Sequence, residues 1–464
     1  MKENGDFRIL SLNYISCGVN NIMAKIVPFR ALRYSLDQIG DPAAVMAPPY
    51  DVISPSLQED LYRRSPFNIV RLILGKINPD DNAENNRYSR AAADFAAWQK
   101  EGVLARDSEP SLYLYDQTYT LEDGSTVTRK GFIALTRLED FSSGVVKPHE
   151  KTLAGPKADR LLLTRACRAN FSPIFSLYSD PSCALETLGQ QFKATPPALA
   201  VADDDGVRHS LWPVDDPSFV DRAKDLLENK PLFIADGHHR YETALNYRDE
   251  MRAAHPGFTG KEPFNYVLMY FANMEDQGMT IFPTHRVIHS LVDFSVDTFV
   301  QKLADDFLIS EETIDTADNS ALAALRQRLA VAGQSRRTLG LYLGNKRFLS
   351  LTLKDEKRMD RLFDPRSPAA LRTLDVSILH RLILEQYLNI TVQAQEAQSN
   401  LRYCKGFSEP FAQVDRGEGQ LAFLLNPTRM SEVRDVANAG EKMPQKSTYF
   451  YPKLLSGLVI NPHT

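Results

Sequence analysis

The sequence has 464 residues, of which 43% are hydrophobic and 24% charged, with a formal net charge of −5 at pH 7. This length predicts two or three domains, and the acidic balance argues against a general nucleic-acid-binding protein. The four cysteines form no CxxC pair, and no apolar run reaches the roughly 18 residues of a membrane span. We therefore expect a cytoplasmic protein without a membrane partner.

Short apolar runs separated by Pro and Gly dominate the first 140 residues. Their composition predicts strands at 24–34 and 68–75 and a hairpin over 111–138, with Asp123–Gly124 as the turn. Helical spacing predicts helices at 54–66 and 87–102.

Alternating strands and helices are predicted over the next 140 residues. A polar loop after residue 141 becomes a helix near Lys157, and the strand SPIFSLYS (172–179) follows. Residues 217–228 are a predicted helix. The run PLFIA (231–235) is typical of a buried strand and leads directly into a second helix, and 265–274 is another strand.

The pattern changes after about residue 292. A helix at 295–306, a hairpin around GNKRF and a long helix at 366–389 are predicted there. The whole chain is therefore predicted to be mixed α+β, with a first domain at 23–290 and an α+β C-terminal domain at 291–464. Residues 1–22 lack the order of a signal peptide, and we expect them to form a disordered N-terminal extension.

The stretch IADGHHRYETAL places unusual polar chemistry where a strand passes into a helix. Gly237 permits a tight turn, and the helix entrance offers unsatisfied N–H groups that bind phosphate or carboxylate. Arg240 adds a planar fork for phosphate oxygens, and His238 or His239 can donate to the same anion. Alternatively, Asp236 caps an ordinary helix and the histidines lie on the surface.

The segment DGHHRYETA is similar to the phosphate-binding box of the ParB/sulfiredoxin superfamily, especially its free serine kinases. From about Met23 the chain resembles the family known as domain of unknown function 1015, through APPYDVIS, KPHEKT, IADGHHRYETAL, FPTHR and GEKMPQKSTYFYPKLLSGL. The resemblance implies a ParB/sulfiredoxin-like core at 23–290 that phosphorylates free L-serine from a nucleotide or pyrophosphate. Sulfiredoxins carry a cysteine where His238 stands, so their chemistry is disfavoured.

A second polar stretch, KPHEKT, precedes the helix near Lys157. Glu150 is a candidate general base, because a carboxylate beside a hydroxyl can accept its proton during phosphoryl transfer. The resemblance matches Glu150 to the glutamate that superfamily serine kinases use. Lys151 and Arg160 are candidates for neutralising phosphate charge. Alternatively, the stretch is a solvated loop in which Glu150 caps the helix.

Other residues are candidates for substrate binding. They are Asp51, His149, Thr152, His285 and Arg286. Asp51 can instead stabilise an Asx-turn, and the pair at 285–286 can simply end a strand. The lysine-rich run GEKMPQKSTYFYPK (440–453) either closes over a phosphate-bearing ligand or forms a solvated tail.

These features predict a phosphotransferase acting on the hydroxyl of a small metabolite, with free L-serine, converted to O-phosphoserine, as the best match. The predicted catalytic residues are Glu150, Asp236 and His239, and the predicted phosphate-binding residues are Gly237, His238, Arg240, Lys151 and Arg160. No GxxxxGK[ST] motif is present, so ATP, ADP and pyrophosphate all remain candidate donors. The pattern is compatible with Mg²⁺ held through phosphates and with a homo-oligomer. The alternatives are a nucleotide-binding, ParB-like regulator without kinase activity and a phosphate-ester hydrolase.

Overall fold

The computed structural model describes residues 24–121, 123–150, 152 and 154–463. The extension predicted at 1–22 and the candidate residue Lys151 therefore lie outside the described residues. The α+β fold class is confirmed, because helices pack against a ten-stranded sheet and a six-stranded sheet.

The first sheet is built around its most buried strand, Tyr266–Asn273. This strand lies between Gly131–Arg137, which is antiparallel to it, and Ile174–Tyr178, which is parallel. Burial on both faces explains its continuous apolar run. In order across the sheet, the main strands are Leu199–Ala202, Arg208–Val214, Leu112–Thr120, Gly131–Arg137, Tyr266–Asn273, Ile174–Tyr178, Leu232–Asp236 and Val146–Lys147. Two more strands complete this sheet: Ile26–Val27 pairs with Gly131–Arg137, and Thr126–Arg129 pairs with Leu112–Thr120.

Apolar cores cover both faces of this sheet. Tyr113 and Tyr115 belong to one core and Leu112 and Leu114 to the other, as the alternation of side chains along a strand requires. The helices of this half are Leu36–Ile39, Pro42–Val45, Pro55–Arg64, Val70–Ile73, Arg87–Lys100, Ala154–Cys167, Ala184–Gly189, Pro217–Glu228 and His238–Ala254. Short 3₁₀ turns occur at Tyr50–Val52, Phe141–Ser143, Gln190–Ala194 and Pro263–Asn265.

The second sheet is antiparallel throughout its six strands. Their order is Phe307–Thr313, Arg347–Leu353, Thr338–Tyr342, Leu421–Leu424, His285–Ile288 and Leu401–Cys404. The helical elements of this half are Val296–Asp306, Asn319–Ser335, Glu356–Arg361, Ala369–Arg372, Asp375–Ser377, Ile378–Tyr387, Val392–Glu396, Glu409–Asp415 and Met430–Asn438. The predicted hairpin around GNKRF is confirmed by the antiparallel pairing of its two strands.

The end of the chain pairs with residues of the first half of the protein, in two separate two-stranded sheets. Within the C-terminal segment (residues 443–463), Tyr449–Tyr451 pairs with Thr280–Phe282, and Asn461–Pro462 pairs with Ala169–Asn170. Several of its apolar side chains belong to a core of the first half. A domain boundary near residue 290 remains a proposal. The C-terminal segment pairs with strands that precede residue 290 in the sequence.

The strand predicted at 68–75 is wrong, because Val70–Ile73 is helical. The buried Asn68 starts this turn, since its side-chain oxygen accepts a hydrogen bond from Val70 N at 2.9 Å. Its amide also donates to the carbonyls of Ala44 and Met46. A short apolar run has the same composition in a buried helix and in a buried strand, so periodicity could not separate the two.

Two other predictions need correction. The strand predicted at 24–34 is two short strands, Ile26–Val27 and Leu32–Tyr34, on either side of an irregular stretch that begins at Pro28. The single helix predicted at 366–389 is interrupted, because Leu374 adopts an extended backbone conformation before the helical path resumes.

Candidate functional site

The predicted strand and helix around the DGHHR box are confirmed. The box strand is Leu232–Asp236 and the box helix is His238–Ala254. Gly237 joins them with φ +91°, a left-handed conformation that favours glycine. A β-carbon at this position would lie 2.9 Å from the Arg240 guanidinium. The glycine is therefore required both for the turn and for the arginine to fold back over it.

The entrance of the box helix is open to a ligand. Its first backbone bond runs from Tyr241 N to Gly237 O at 3.0 Å, so the amides of residues 238–240 have no acceptor within the helix. Gly237, at the N-cap position, has no side chain with which to cap this end. Exposed amides and the positive end of a helix dipole favour a phosphate or carboxylate.

Two cations hold Asp236 at the end of the box strand. Arg240 Nη2 contacts one carboxylate oxygen at 2.7 Å, and Lys453 Nζ contacts the other. Burial alone would raise the pKa of Asp236, but the charges of Lys453 and Arg240 outweigh it and hold that pKa well below its ordinary value. Asp236 is therefore ionised at neutral pH and positions the cations.

Glu150 reaches the same edge of the sheet through strand pairing. The strand Val146–Lys147 is parallel to the box strand, with Lys147 opposite Phe233. Asp236 is three residues after Phe233, at the end of the box strand, and Glu150 is three residues after Lys147, where its own strand has already ended. Because parallel strands run in the same direction, both carboxylates lie beyond the same end of the sheet.

The Glu150 carboxylate is half-buried and accepts a hydrogen bond from Lys446 N at 3.0 Å. Burial raises the pKa of Glu150 above its ordinary value, and the hydrogen bond and the charge of Lys446 offset this only in part. A raised pKa brings a carboxylate closer to the value that suits a general base near neutral pH.

These residues line one cleft of about 70 Å³. Its lining residues are Tyr50, Asp51, Glu150, Asp236, Gly237, His238, His239, Arg240 and Lys446. The structure therefore brings together Asp51, Glu150 and the whole DGHHR box. Tyr50 and Lys446 complete the lining.

The histidines fall into two layers. His149 is fully buried behind the cleft, where Nδ1 donates to Ile234 O at 2.6 Å and Nε2 accepts from the Thr448 hydroxyl at 3.0 Å. Burial lowers the pKa of His149 to about 4, so its ring is neutral. It links the box strand to the C-terminal segment and does not line the cleft.

His238 and His239 both line the cleft. His238 Nε2 accepts a hydrogen bond from His149 N at 3.3 Å, so the neutral ring carries its proton on Nδ1. Burial lowers the pKa of both residues, and for His238 the shift is large. At neutral pH each ring is therefore a neutral donor rather than a cation.

Besides His149, four predicted site residues lie outside the cleft lining. Thr152 Oγ1 donates to Glu242 at 2.7 Å. Arg160 donates to Ile73 O at 2.6 Å, and its guanidinium lies 4.0 Å from the Tyr50 ring centroid. Arg160 therefore supports a lining residue from behind.

His285 and Arg286 belong to the second sheet. His285 Nδ1 accepts a hydrogen bond from Leu425 N at 3.2 Å, so this ring is held within the second sheet and does not line the cleft. Arg286 is fully buried, and its Nη2 donates to Lys446 O at 3.0 Å. Arg286 therefore holds the backbone of a cleft residue instead of facing the cleft itself.

The sequence left open whether the run 440–453 closes over a ligand, and its lysines were not among the predicted site residues. Lys446 lines the cleft, and Lys453 pairs with Asp236. The sequence signal for their role was the run QKSTYFYPK, in which two lysines stand on either side of three aromatic residues. Its interpretation as a solvated tail does not fit, since Phe450 is fully buried.

Within the described ranges, no group of three or more His, Cys, Asp or Glu side chains is arranged to hold a metal ion. The same part of the chain contains no helix that is both long and apolar enough to cross a bilayer.

The fold and the cleft define an α+β protein with a candidate anion site at a strand–helix junction. The chain belongs to the family described as "Protein of unknown function (DUF1015)", whose model matches residues 26–377. No curated protein matches this sequence.

Several solved structures are similar to this chain. A conserved hypothetical protein from Pyrococcus furiosus is 13% identical, with a TM-score of 0.31 over 69% of this chain and 92% of that chain. A free serine kinase in complex with AMP is 12% identical, with a TM-score of 0.33 over 68% of this chain and 86% of that one. SbnI with a C-terminal truncation, from Staphylococcus aureus, is 12% identical, with a TM-score of 0.31 over 70% and 86%.

Proposed function

We propose that this protein transfers a phosphoryl group to the hydroxyl of a small metabolite, with free L-serine as acceptor. The observation that carries the proposal is the single cleft that holds both a helix entrance with glycine at the N-cap and the half-buried carboxylate of Glu150. The first feature suits a phosphate, and the second suits proton removal from a hydroxyl. Serine is suggested by the similarity of the DGHHR box to that of free serine kinases.

In the proposed reaction, the amides of residues 238–240 and the Arg240 guanidinium bind the phosphoryl group being transferred. Neutral His239 donates a hydrogen bond to it. The serine oxygen attacks phosphorus as the bond to the donor oxygen breaks, and the serine proton passes to Glu150. Fixed donors at the transferred group stabilise the charge that develops in the transition state.

The proposed donor is a nucleotide or pyrophosphate, because the entrance of the box helix suits a phosphate group and does not distinguish between these two donors. If Mg²⁺ takes part, we propose that it is held mainly by donor phosphates, with Asp51 at the cleft as one carboxylate ligand. Lys446 and Lys453 add positive charge beside the donor.

The test is to incubate the full chain with L-serine, Mg²⁺ and ATP, ADP or pyrophosphate in turn, and to measure O-phosphoserine. Glu150→Gln is expected to lower the rate by about 10²-fold or more, because a general base contributes that much. Glu250→Gln is the matched control, since Glu250 lies on the box helix but pairs with Arg165 at the surface.

The remaining outcomes would replace the proposal. Donor hydrolysis that does not depend on serine would favour a phosphate-ester hydrolase. Nucleotide binding without turnover would favour a ParB-like regulator.

A further inference from the structure

A separate cavity of about 90 Å³ lies in the second half of the chain, between the helical segment Ile378–Tyr387 and residues 444–445 of the C-terminal segment. This segment is a π-helix, and Leu388 N closes it by donating to Ile383 O at 3.0 Å. Long π-helices are rare, and π-helical turns occur frequently at functional sites. Since one water needs roughly 10–15 Å³ of such space, the cavity has room for several non-hydrogen atoms.

Two buried polar side chains line this cavity and use only part of their hydrogen-bonding capacity within the described residues. Ser377 is fully buried and His380 is 5% exposed. Neither Ser377 Oγ nor His380 Nε2 has a hydrogen-bond partner among the described residues. The two residues are three apart in a helical backbone, so they share a face. Buried polar groups are nearly always paired, which indicates that a ligand completes this pair.

Charges of both signs surround the cavity. Arg286 is fully buried behind it and lies 5.0 Å from the ring centroid of Tyr403, a lining residue. Burial, with the charge of Arg286, lowers the pKa of His380 to about 3, so that ring is neutral. Arg381, Glu385 and the exposed Glu396 also line the cavity, and Arg381 pairs with Glu385 at 2.9 Å. The lining therefore offers partners for both charges of a zwitterion.

We propose that this cavity binds a free α-amino acid with a small side chain. Its carboxylate accepts a hydrogen bond from the Ser377 hydroxyl, in the field of Arg381 and Arg286. Its ammonium group donates to His380 Nε2, which is the unprotonated nitrogen because the neutral ring donates from its other nitrogen to Gln395. The ammonium group also pairs with Glu385 and Glu396. Leu371 supplies apolar contact for the side chain.

This site does not depend on the proposed phosphotransferase activity, and L-alanine is the probe that keeps the two apart. Alanine has no hydroxyl, so it cannot accept a phosphoryl group. Titration of the full chain with L-alanine in a calorimeter is expected to show saturable binding at one site. Propionate and ethylamine each lack one of the two charges and are expected to bind at least about tenfold more weakly.

The variants test the placement. Ser377→Val removes the hydroxyl and fills part of the cavity, and Glu385→Gln removes the charge for the ammonium group. Each is expected to weaken alanine binding about tenfold or more. Glu150→Gln changes the other cleft and is expected to bind alanine like the wild type, whether or not the chain is a kinase.

Folding is checked with Ser377→Ala, which removes a hydroxyl that has no partner in the protein. It is expected to unfold at an unchanged or higher temperature and still to bind alanine more weakly. Unchanged affinity in Ser377→Ala and Ser377→Val, equal affinity for propionate and alanine, or no saturable binding would each overturn the proposal.

Discussion

Glu150 and Asp236 lie at the same edge of the first sheet, because each follows by three residues one member of the parallel pair Lys147–Phe233, although the strand before Glu150 ends at Lys147. The two carboxylates share a cleft but have opposite environments. Two cations contact Asp236, whereas a backbone N–H is the hydrogen-bond donor to Glu150. The pKa of Asp236 is consequently lowered and that of Glu150 is raised. Paired groups with divergent pKa values are typical of sites that divide acid–base roles.

The raised pKa of Glu150 predicts the pH dependence of the proposed reaction. A general base acts as the carboxylate, so kcat/KM for O-phosphoserine formation is expected to rise with pH through an apparent pKa above that of a free glutamate, about 4.3. The measurement is a pH–rate profile for the wild type and Glu150→Asp. A rate that stays flat as pH falls to about 4.3, the pKa of a free glutamate, would contradict the assignment.

The same shift predicts a stability effect of the opposite sign to the activity effect. A carboxylate with a raised folded-state pKa binds protons more tightly in the folded state, so stability decreases as pH rises from its unfolded pKa through its folded pKa. At neutral pH, Glu150→Gln removes this penalty while its amide oxygen can still accept from Lys446 N. It is expected to unfold at an equal or higher urea concentration than the wild type. A clear loss of stability would show that Glu150 is a structural residue.

Much of the candidate site could be predicted from local sequence. A buried strand, a glycine and a helix in succession specify the box without tertiary information, and the structure confirms both elements. The position of Glu150 relative to Asp236 could not be derived in this way, because it depends on the pairing of strands 86 residues apart. Lys453 was harder still, since it reaches Asp236 across 217 residues.

The fold was predictable where a segment was long and periodic, as in Pro217–Glu228, whose predicted bounds match. It was not predictable for the short apolar run 68–75. There the side chain of Asn68 and the burial of Ile69, Val70, Leu72 and Ile73 decide the conformation, and both depend on the rest of the chain.

Asp236→Asn is expected to lower the free energy of unfolding by about 3 kcal/mol, because it leaves the largely buried Lys453 and Arg240 without a counter-charge. The contribution of a carboxylate with a depressed pKa is full above its unfolded pKa, about 3.9, and is lost as pH falls toward its folded pKa. Urea unfolding near neutral pH and near pH 3 should therefore show a difference between the two proteins that shrinks in acid. Asp221→Asn, which breaks an exposed pair with Lys224, is the control and should have little effect.

Gly237→Ala is expected to cost about 1–3 kcal/mol of stability, because a β-carbon disfavours φ +91° and collides with the Arg240 guanidinium. Displacing Arg240 should also weaken the binding of pyrophosphate, measured as a smaller rise in the thermal unfolding temperature. Gly155→Ala is the matched control, since Gly155 is an exposed helical residue with open space around its α-carbon. Equal pyrophosphate binding by both variants would argue against a phosphate site at the entrance of the box helix.

Phe450→Ala tests whether the C-terminal segment helps to form the core of the first sheet that contains Tyr113 and Tyr115. The Phe450 ring is fully buried and lies 5.6 Å from the ring of Phe175 and 6.1 Å from that of His149, measured between centroids. Removing it is expected to cost about 3 kcal/mol or more and to weaken pyrophosphate binding, because the same segment carries Lys446 and Lys453 to the cleft. Phe258→Ala, at a ring that is 40% exposed, should change both quantities much less. If Phe450→Ala shifted only an unfolding transition of residues 291–464 and left pyrophosphate binding intact, the C-terminal segment would contribute to the second domain alone and the lysines would have no part in the site.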